Sequence, residues 1–192
     1  WARQEGLTLL QPEKLTPADA DHLRSLDVAL GVVMAYGQIL KDDFLQAPRR
    51  GLVNFHGSLL PALRGATPVE GALASGLAVT GVSLQQVVRK LDAGPLHASA
   101  SLTIAPQEGR AALRARLGVL AGELATRALP AILEGASVPV PQDEAQVSYT
   151  RRLDRQDAAL DFSGDARLLA GRITALAGWP GSTFAFQGVV IK

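Results

Sequence analysis

The first residues that could do chemistry together lie in Asn54-Phe55-His56-Gly57-Ser58-Leu59-Leu60-Pro61. Successive side chains of an extended strand point to opposite faces, so Asn54 and His56 share one face while Val53 and Phe55 share the other. An imidazole moves a proton near neutral pH and a carboxamide N–H stabilises a developing oxyanion, so the pair has the parts for acyl chemistry. A third candidate, Asp92, stands about 36 residues beyond His56, in Leu91-Asp92-Ala93-Gly94-Pro95. A carboxylate brought against His56 would orient the ring and tune its proton. Each residue also has an ordinary structural reading: His56 as a satisfied strand histidine, Asn54 as a turn cap, Asp92 as a turn acid beside a glycine. His22 and His97 have no polar companions in sequence and are read as structural.

Other chemistries are excluded by what is missing. There is no G-x-S-x-G nucleophile elbow, no G-x-x-x-x-G-K-[ST] phosphate loop and no G-x-G-x-x-G. With no cysteine, disulfides, thiolate metal sites and a cysteine nucleophile are excluded; three histidines are too few for a histidine-rich cluster, and no metal is expected. The 192 residues are 47% hydrophobic and 19% charged, which is the balance of a folded domain. Lys+Arg number 19 against 18 Asp+Glu, so the net charge of +1 provides no strong field for nucleic acid, and an RNA partner would have to be held locally. No uninterrupted apolar run approaches the ~20 residues of a membrane helix.

The elements that must position these residues follow from punctuation and periodicity. Thr16-Pro17-Ala18-Asp19 predicts a helix start running to about Ser25. Val28 to Met34 is continuously apolar and β-branched, as in a strand buried on both faces of a parallel sheet. A short helix is expected around Asp43 to Ala47 and a second strand at Leu52 to His56. Thr67-Pro68 opens a helix through Ala74, and Thr80 to Val88 and Leu96 to Thr103 read as strands. Leu113, Leu117, Leu120 and Leu124 recur at helical spacing within a long helix from Glu108 to Leu133. Strands alternating with helices predict an α/β fold with a largely parallel sheet, in which ligands bind at the carboxyl ends of strands. Val138-Pro139-Val140-Pro141 marks an extended exit from the compact domain. Beyond it, Ser163 is expected to cap a helix from about Asp165 to Leu176, and Thr183 to Phe186 with Val189 to Lys192 read as a hairpin around Gln187-Gly188.

Three segments together are specific: Val33-Met34-Ala35-Tyr36-Gly37-Gln38-Ile39-Leu40, then Asn54 to Leu60 continuing through Pro61-Ala62-Leu63-Arg64-Gly65-Ala66-Thr67-Pro68, then Leu91-Asp92-Ala93-Gly94. They resemble the folate-dependent formyltransferases, and within them the methionyl-tRNA formyltransferases, along essentially the whole chain. N-x-H-G-S-L-L-P followed by D-x-G is far more specific than either part.

The resemblance implies a Rossmann-like formyltransferase domain that uses 10-formyltetrahydrofolate as formyl donor. It implies Asn54, His56 and Asp92 as the catalytic set. His56 and Asn54 would stabilise the tetrahedral oxyanion while Asp92 tunes His56 and assists proton movement. The family's folate contacts carry over to Ser58, Leu59, Leu60 and Pro61. The pterin is expected near Gln38 to Leu40, with Gln38 and Leu40 as contacts, and near Val88 to Asp92. Arg64-Gly65-Ala66-Thr67-Pro68 resembles the tRNA enzymes, whereas aminosugar-nucleotide formyltransferases carry a second Arg at the position of Ala66. Glycinamide ribonucleotide formyltransferases end after the long helix, while this chain continues through Tyr149-Thr150-Arg151-Arg152 to Trp179-Pro180-Gly181.

The implied organisation is a catalytic domain over residues 1–135, a linker over 136–164, and over 165–192 the start of a C-terminal tRNA-binding β-barrel of OB type. The family's first strands are expected ahead of Trp1 and most of its barrel after Lys192. The implied activity is formyl transfer to the amino group of initiator methionyl-tRNA for translation initiation, by a cytoplasmic enzyme acting as a monomer away from membranes. Alternatives within the resemblance are transfer to glycinamide ribonucleotide or an aminosugar nucleotide, and formyltetrahydrofolate hydrolysis. A non-catalytic folate- or RNA-binding piece is the alternative of a different class.

Overall fold

A computed structural model describes residues 1–192. Helix α1 (Pro17–Ser25) begins where Thr16 and Pro17 predict it, with the Thr16 amide donating to Asp19 Oδ2 at 2.8 Å. Strand β1 (Gly31–Val33), the short helix α2 (Asp42–Leu45) and strand β2 (Leu52–His56) follow. After β2 the chain forms the two-residue strand β3 (Arg64–Gly65), helix α3 (Pro68–Ala74), and the paired strands β4 (Val79–Gln86) and β5 (Leu96–Thr103). Helix α4 (Arg110–Glu134) ends on Gly135 in the left-handed region, at φ +78°. Next come a second two-residue strand, β6 (Tyr149–Thr150), helix α5 (Ala166–Leu176), and a hairpin of β7 (Phe184–Phe186) and β8 (Val189–Ile191). Gln187 and Gly188, both at positive φ, turn that hairpin as expected.

The main sheet has the order β1-β2-β4-β5. The α/β class holds, but parallel pairing in this sheet is confined to β1 with β2; β4 runs antiparallel to β2, and β5 antiparallel to β4. Residues 87–95 are too short a connection for the crossover that a parallel β4–β5 pair would need, so those two strands return as a hairpin. Strand β1 also departs from expectation. It is shorter than the apolar run 28–34, and Val32 on it is 51% exposed, because β1 forms the edge of this sheet instead of an interior strand.

One face of the sheet carries the core. Val53 and Phe55 from β2 and Val82 and Leu84 from β4 meet Val69 and Leu73 of α3 and Leu113, Leu117, Ala121, Leu124 and Ile132 of α4. The opposite face at β2 and β4 is polar: cross-strand partners are Asn54 with Gln85 and His56 with Ser83. Period-2 alternation therefore gives one pair of strands two chemistries, a dry face that fixes them and a polar face that they present.

The segment after α4 is extended, as its prolines predict, yet it does not leave the body. Leu96 and Val140 exchange both backbone hydrogen bonds at 2.7 and 2.8 Å, and β6 pairs in parallel with β3. An extended chain with free amides and carbonyls satisfies them on whatever edges lie beside it, here those of β5 and β3. Helix α5 also packs on α3, and Ala175 joins the same core. The approach is so close that a Cβ on Gly171 would stand 2.2 Å from the Leu73 carbonyl oxygen. The cap of α5 is Asp165, whose carboxylate accepts from the amides of Arg167 and Leu168; Ser163 instead donates to Asp161. A carboxylate adjoining the first turn reaches two free amides that a hydroxyl two residues earlier does not.

Candidate functional site

His56 ends β2 with its ring 6% exposed. Its Nε2 lies 2.9 Å from the carbonyl oxygen of Leu63, a residue held at φ +60° that turns the chain back over the ring. A carbonyl oxygen only accepts, so Nε2 carries a proton in this contact. Nδ1 faces Asp92, 3.6 Å from Oδ2. That separation is too long for a hydrogen bond, and it is an ion pair only when both ring nitrogens carry protons.

The Asp92 carboxylate is fixed on both oxygens. Oδ2 accepts the Gly65 amide at 2.8 Å and Oδ1 accepts Gln85 Nε2 at 2.8 Å. Asp92 is itself at φ +47°, a left-handed conformation that a non-glycine residue adopts at a cost and that surrounding contacts must enforce. The glycine of D-x-G has a different reason: a Cβ on Gly94 would lie 1.6 Å from the Gln86 carbonyl oxygen, so only glycine allows the loop to lie against the end of β4.

Asn54 shares the polar face with His56, as alternation requires, and is half-buried. The hydrogen bonds that hold His56 and Asp92 do not engage its carboxamide. The structure thus gathers all three proposed catalytic residues at the carboxyl end of β2.

The remaining sequence candidates divide. Ser58 is buried, with its hydroxyl donating to the Ala62 carbonyl at 2.6 Å, so it shapes the loop. Ser83 Oγ pins the same loop from β4 by donating to the Ser58 carbonyl and accepting the Leu60 amide. Leu60 is buried, while Leu59, packed over Gly81, and Pro61 remain partly open. Gln38 is exposed and bonds Leu15 and Glu13 at 3.4 Å; Leu40 is half-buried. Both follow β1, whose parallel register sets Val33 beside Asn54, so they leave the sheet at the same edge as His56.

Several residues around the site escaped the sequence reading. Ser83 and Gln85 were legible in principle, since they alternate with Val82 and Leu84 along one strand. Lys90, Gln142 and Glu144 had no such signal, and Arg64 stood out only as part of the Arg64-to-Pro68 segment, with nothing to show its partners. Arg64 is fully buried, bonded through Nε and Nη2 to Gln142 Oε1 at 3.0 and 2.8 Å and through Nη2 to Glu144 at 2.8 Å. Arg64, and next Lys90, hold the Glu144 carboxyl down at a pKa of about 2. His97 also has companions that its sequence neighbours do not reveal: Nδ1 meets Ser137 Oγ at 2.8 Å and Nε2 meets Gln86 Oε1 at 3.1 Å. Burial pushes its pKa below the usual histidine value. Two cavities, one among α3, α5 and residues 150–157 and one between β5 and α4, are lined by none of Asn54, His56 and Asp92. No three His, Asp or Glu side chains converge as metal ligands would.

A family model described as formyl transferase matches residues 3–129, which includes all three residues of the site. The chain belongs to the formyl transferase family. The methionyl-tRNA formyltransferase of Acidiphilium cryptum is 40% identical over 189 residues, covering 97% of this chain and 62% of that protein. The enzyme of the same name from Myxococcus xanthus is 41% identical over 192 residues, again with 62% of its length covered. The chain therefore spans somewhat under two thirds of the length of these relatives. Among solved structures, a sugar N-formyltransferase from a Shewanella species superposes with a TM-score of 0.78 at 16% identity, covering 98% of this chain and 76% of that one. HypX from Aquifex aeolicus, solved with tetrahydrofolic acid, gives 0.75 at 17% identity, with 92% of this chain and 31% of that one covered. At such identities the likeness shows a common formyltransferase fold.

Proposed function

We propose that this chain carries the catalytic unit that moves the formyl group of 10-formyltetrahydrofolate to the free amino group of methionyl-tRNA. The observation that carries the reading is the buried approach of His56 Nδ1 to Asp92 Oδ2, 3.6 Å apart, beside Asn54 at a strand's carboxyl end. The tRNA acceptor is favoured by the relatives of about 40% identity that bear that name. The folate donor is favoured by the family and by a relative of the same fold solved with tetrahydrofolic acid.

In the proposed reaction the amine attacks the formyl carbon, a tetrahedral oxyanion forms, and the C–N bond to the folate nitrogen breaks as that nitrogen gains a proton. Asn54 is the donor not already engaged, so its carboxamide N–H takes the oxyanion. His56 supplies the second donation by exchanging its bond to Leu63 for one to the oxyanion. Asp92 balances positive charge on the imidazole when it forms and relays the proton that leaves the attacking amine. Gln38, Leu40, Leu59 and Pro61, with the buried Ser58 and Leu60 shaping the loop between them, form the proposed folate border. Residues 1–135 form the proposed catalytic unit and 136–164 the linker. From 165 onward we place the approach to a β-type, tRNA-contacting module. Within that stretch α5 packs on the catalytic unit and the β7–β8 hairpin opens the module.

The test is formyl transfer by the full-length protein with methionyl-tRNA, glycinamide ribonucleotide, an aminosugar nucleotide or water as acceptor. Methionyl-tRNA is expected to be the one formylated, and His56→Ala is expected to lower turnover by at least ~10²-fold while the fold persists. Near-normal turnover in His56→Ala would remove the mechanism; preference for another acceptor would remove the substrate assignment.

A further inference from the structure

Four hydrogen bonds meet on one carboxamide outside the three residues assigned to catalysis. Gln142, in the stretch between α4 and β6, accepts from Arg64 Nε and Nη2 through Oε1. Through Nε2 it donates to the main-chain carbonyls of Asp92 at 2.9 Å and Gly94 at 2.7 Å. A carboxamide offers two acceptor and two donor positions, and all four are used. The polarity fixes its orientation as well, since a guanidinium only donates and a peptide carbonyl only accepts.

The partners on either side of Gln142 both bear on the same carboxylate. Arg64 precedes Gly65, whose amide donates to Asp92 Oδ2, and Asp92 is the residue held at φ +47°. Glu144 adds a second grip by bonding Arg64 and Lys90, so residues 142 and 144 hold the loop at 90, 92 and 94. Arg64 meets the loop through Gln142, which accepts from the guanidinium on one side and donates to the Asp92 and Gly94 carbonyls on the other.

We infer that Gln142 is a positioning residue for the formyl transfer proposed above: it joins buried Arg64 to the Asp92 loop and so sets where the Asp92 carboxylate stands relative to His56. Its polar contacts are to Arg64 and to main chain, and it acts through Asp92. The inference rests on the reading of Asn54, His56 and Asp92 as the reacting set.

Steady-state formyl transfer by the full-length protein tests it, using Gln142→Ala, Gln142→Glu and each of these combined with Asp92→Asn. Gln142→Glu keeps an acceptor for Arg64 and loses both donations, so it separates loop positioning from simple support of a buried cation. Both single variants are expected to lower kcat about 10- to 100-fold, the range that a displacement near 1 Å brings, with KM for donor and acceptor within about threefold. In the Asp92→Asn background the same changes are expected to lower kcat by less than about twofold, because a residue acting through Asp92 has nothing left to position. Unchanged kcat in Gln142→Glu, a loss confined to KM, or an equal loss with and without Asp92 overturns the inference. Full turnover in His56→Ala and Asp92→Asn overturns the catalytic reading and this inference with it. Inactive His56 and Asp92 variants beside a fully active Gln142→Glu overturn the inference alone.

Discussion

Replacing Gly94 with alanine would probe the site through backbone alone, since no reacting side chain is altered. The new Cβ would fall 1.6 Å from the Gln86 carbonyl oxygen and 2.8 Å from its carbon, whereas real Cβ atoms essentially never come closer than 3.0 Å. The obstructing atoms are main chain at the end of β4, so no rotamer relieves the contact, and the loop must withdraw by about 1.4 Å. Three hydrogen bonds lie along that path: the Gln86 amide to the Pro95 carbonyl at 2.9 Å, and Gln142 to the carbonyls of Asp92 and Gly94 at 2.9 and 2.7 Å. A shift of that size takes all three beyond bonding distance and widens the 3.6 Å gap between His56 and Asp92 toward ~5 Å. At about 1 kcal/mol per lost bond, stability falls by roughly 3 kcal/mol, while turnover falls ~10²-fold because the reacting geometry moves by more than an ångström. Formyl-transfer turnover and urea unfolding measured on the same preparation read both numbers. A Gly94→Ala protein that turns over within threefold of the parent, with an unchanged unfolding midpoint, would refute the argument that this close approach sets the position of Asp92.

Two further expectations concern other parts of the chain. Gly118 lies inside α4 with open space where an added methyl would stand, so Gly118→Ala should raise stability by ~1 kcal/mol, a Tm increase of about 2–4 °C in a thermal melt; a decrease would contradict it. Glu144 has its carboxyl held near pKa 2, against an ordinary 4.5, by Arg64 and then Lys90. A depressed carboxylate stabilises the fold above its unfolded pKa and loses that effect as pH falls toward the folded one. Glu144→Gln should therefore be less stable than the parent at pH 6, with the difference shrinking between about pH 4.5 and 2; stability curves that stay parallel through that window would exclude the ion-pair contribution.

Local signals carried much of the site. Asn54 and His56 share a face because strands alternate, and that reasoning needs no tertiary information. The need for glycine at 94 comes from the approach of the Gln86 carbonyl and not from a demand on φ. What the chain did not reveal depends on long-range meeting. His97 looked solitary because Ser137 and Gln86 come to it from other elements, and Gln142 looked like a linker residue because its partners lie 48 to 78 positions away. Strand directions were misjudged for a related reason. The alternation along β4 and β5 reports which face meets the core, and that is the same whichever way a strand runs; only the length of the connection between them distinguishes the two cases.

The pairing of β6 with β3 has a consequence for the order of synthesis. A ribosome has delivered Asn54, His56 and Asp92 long before it delivers Gln142, Ser148 and Thr150, which bond Arg64, the Leu63 amide, the Asp92 loop and the Ala66 amide. A nascent chain halted after α4 would have the three candidate side chains and most of its core, with Arg64 still lacking the Gln142 carboxamide and the Glu144 carboxylate that partner it. The candidate site is encoded early and fastened late, and the stretch that resembles a connector is what fastens the Asp92 loop.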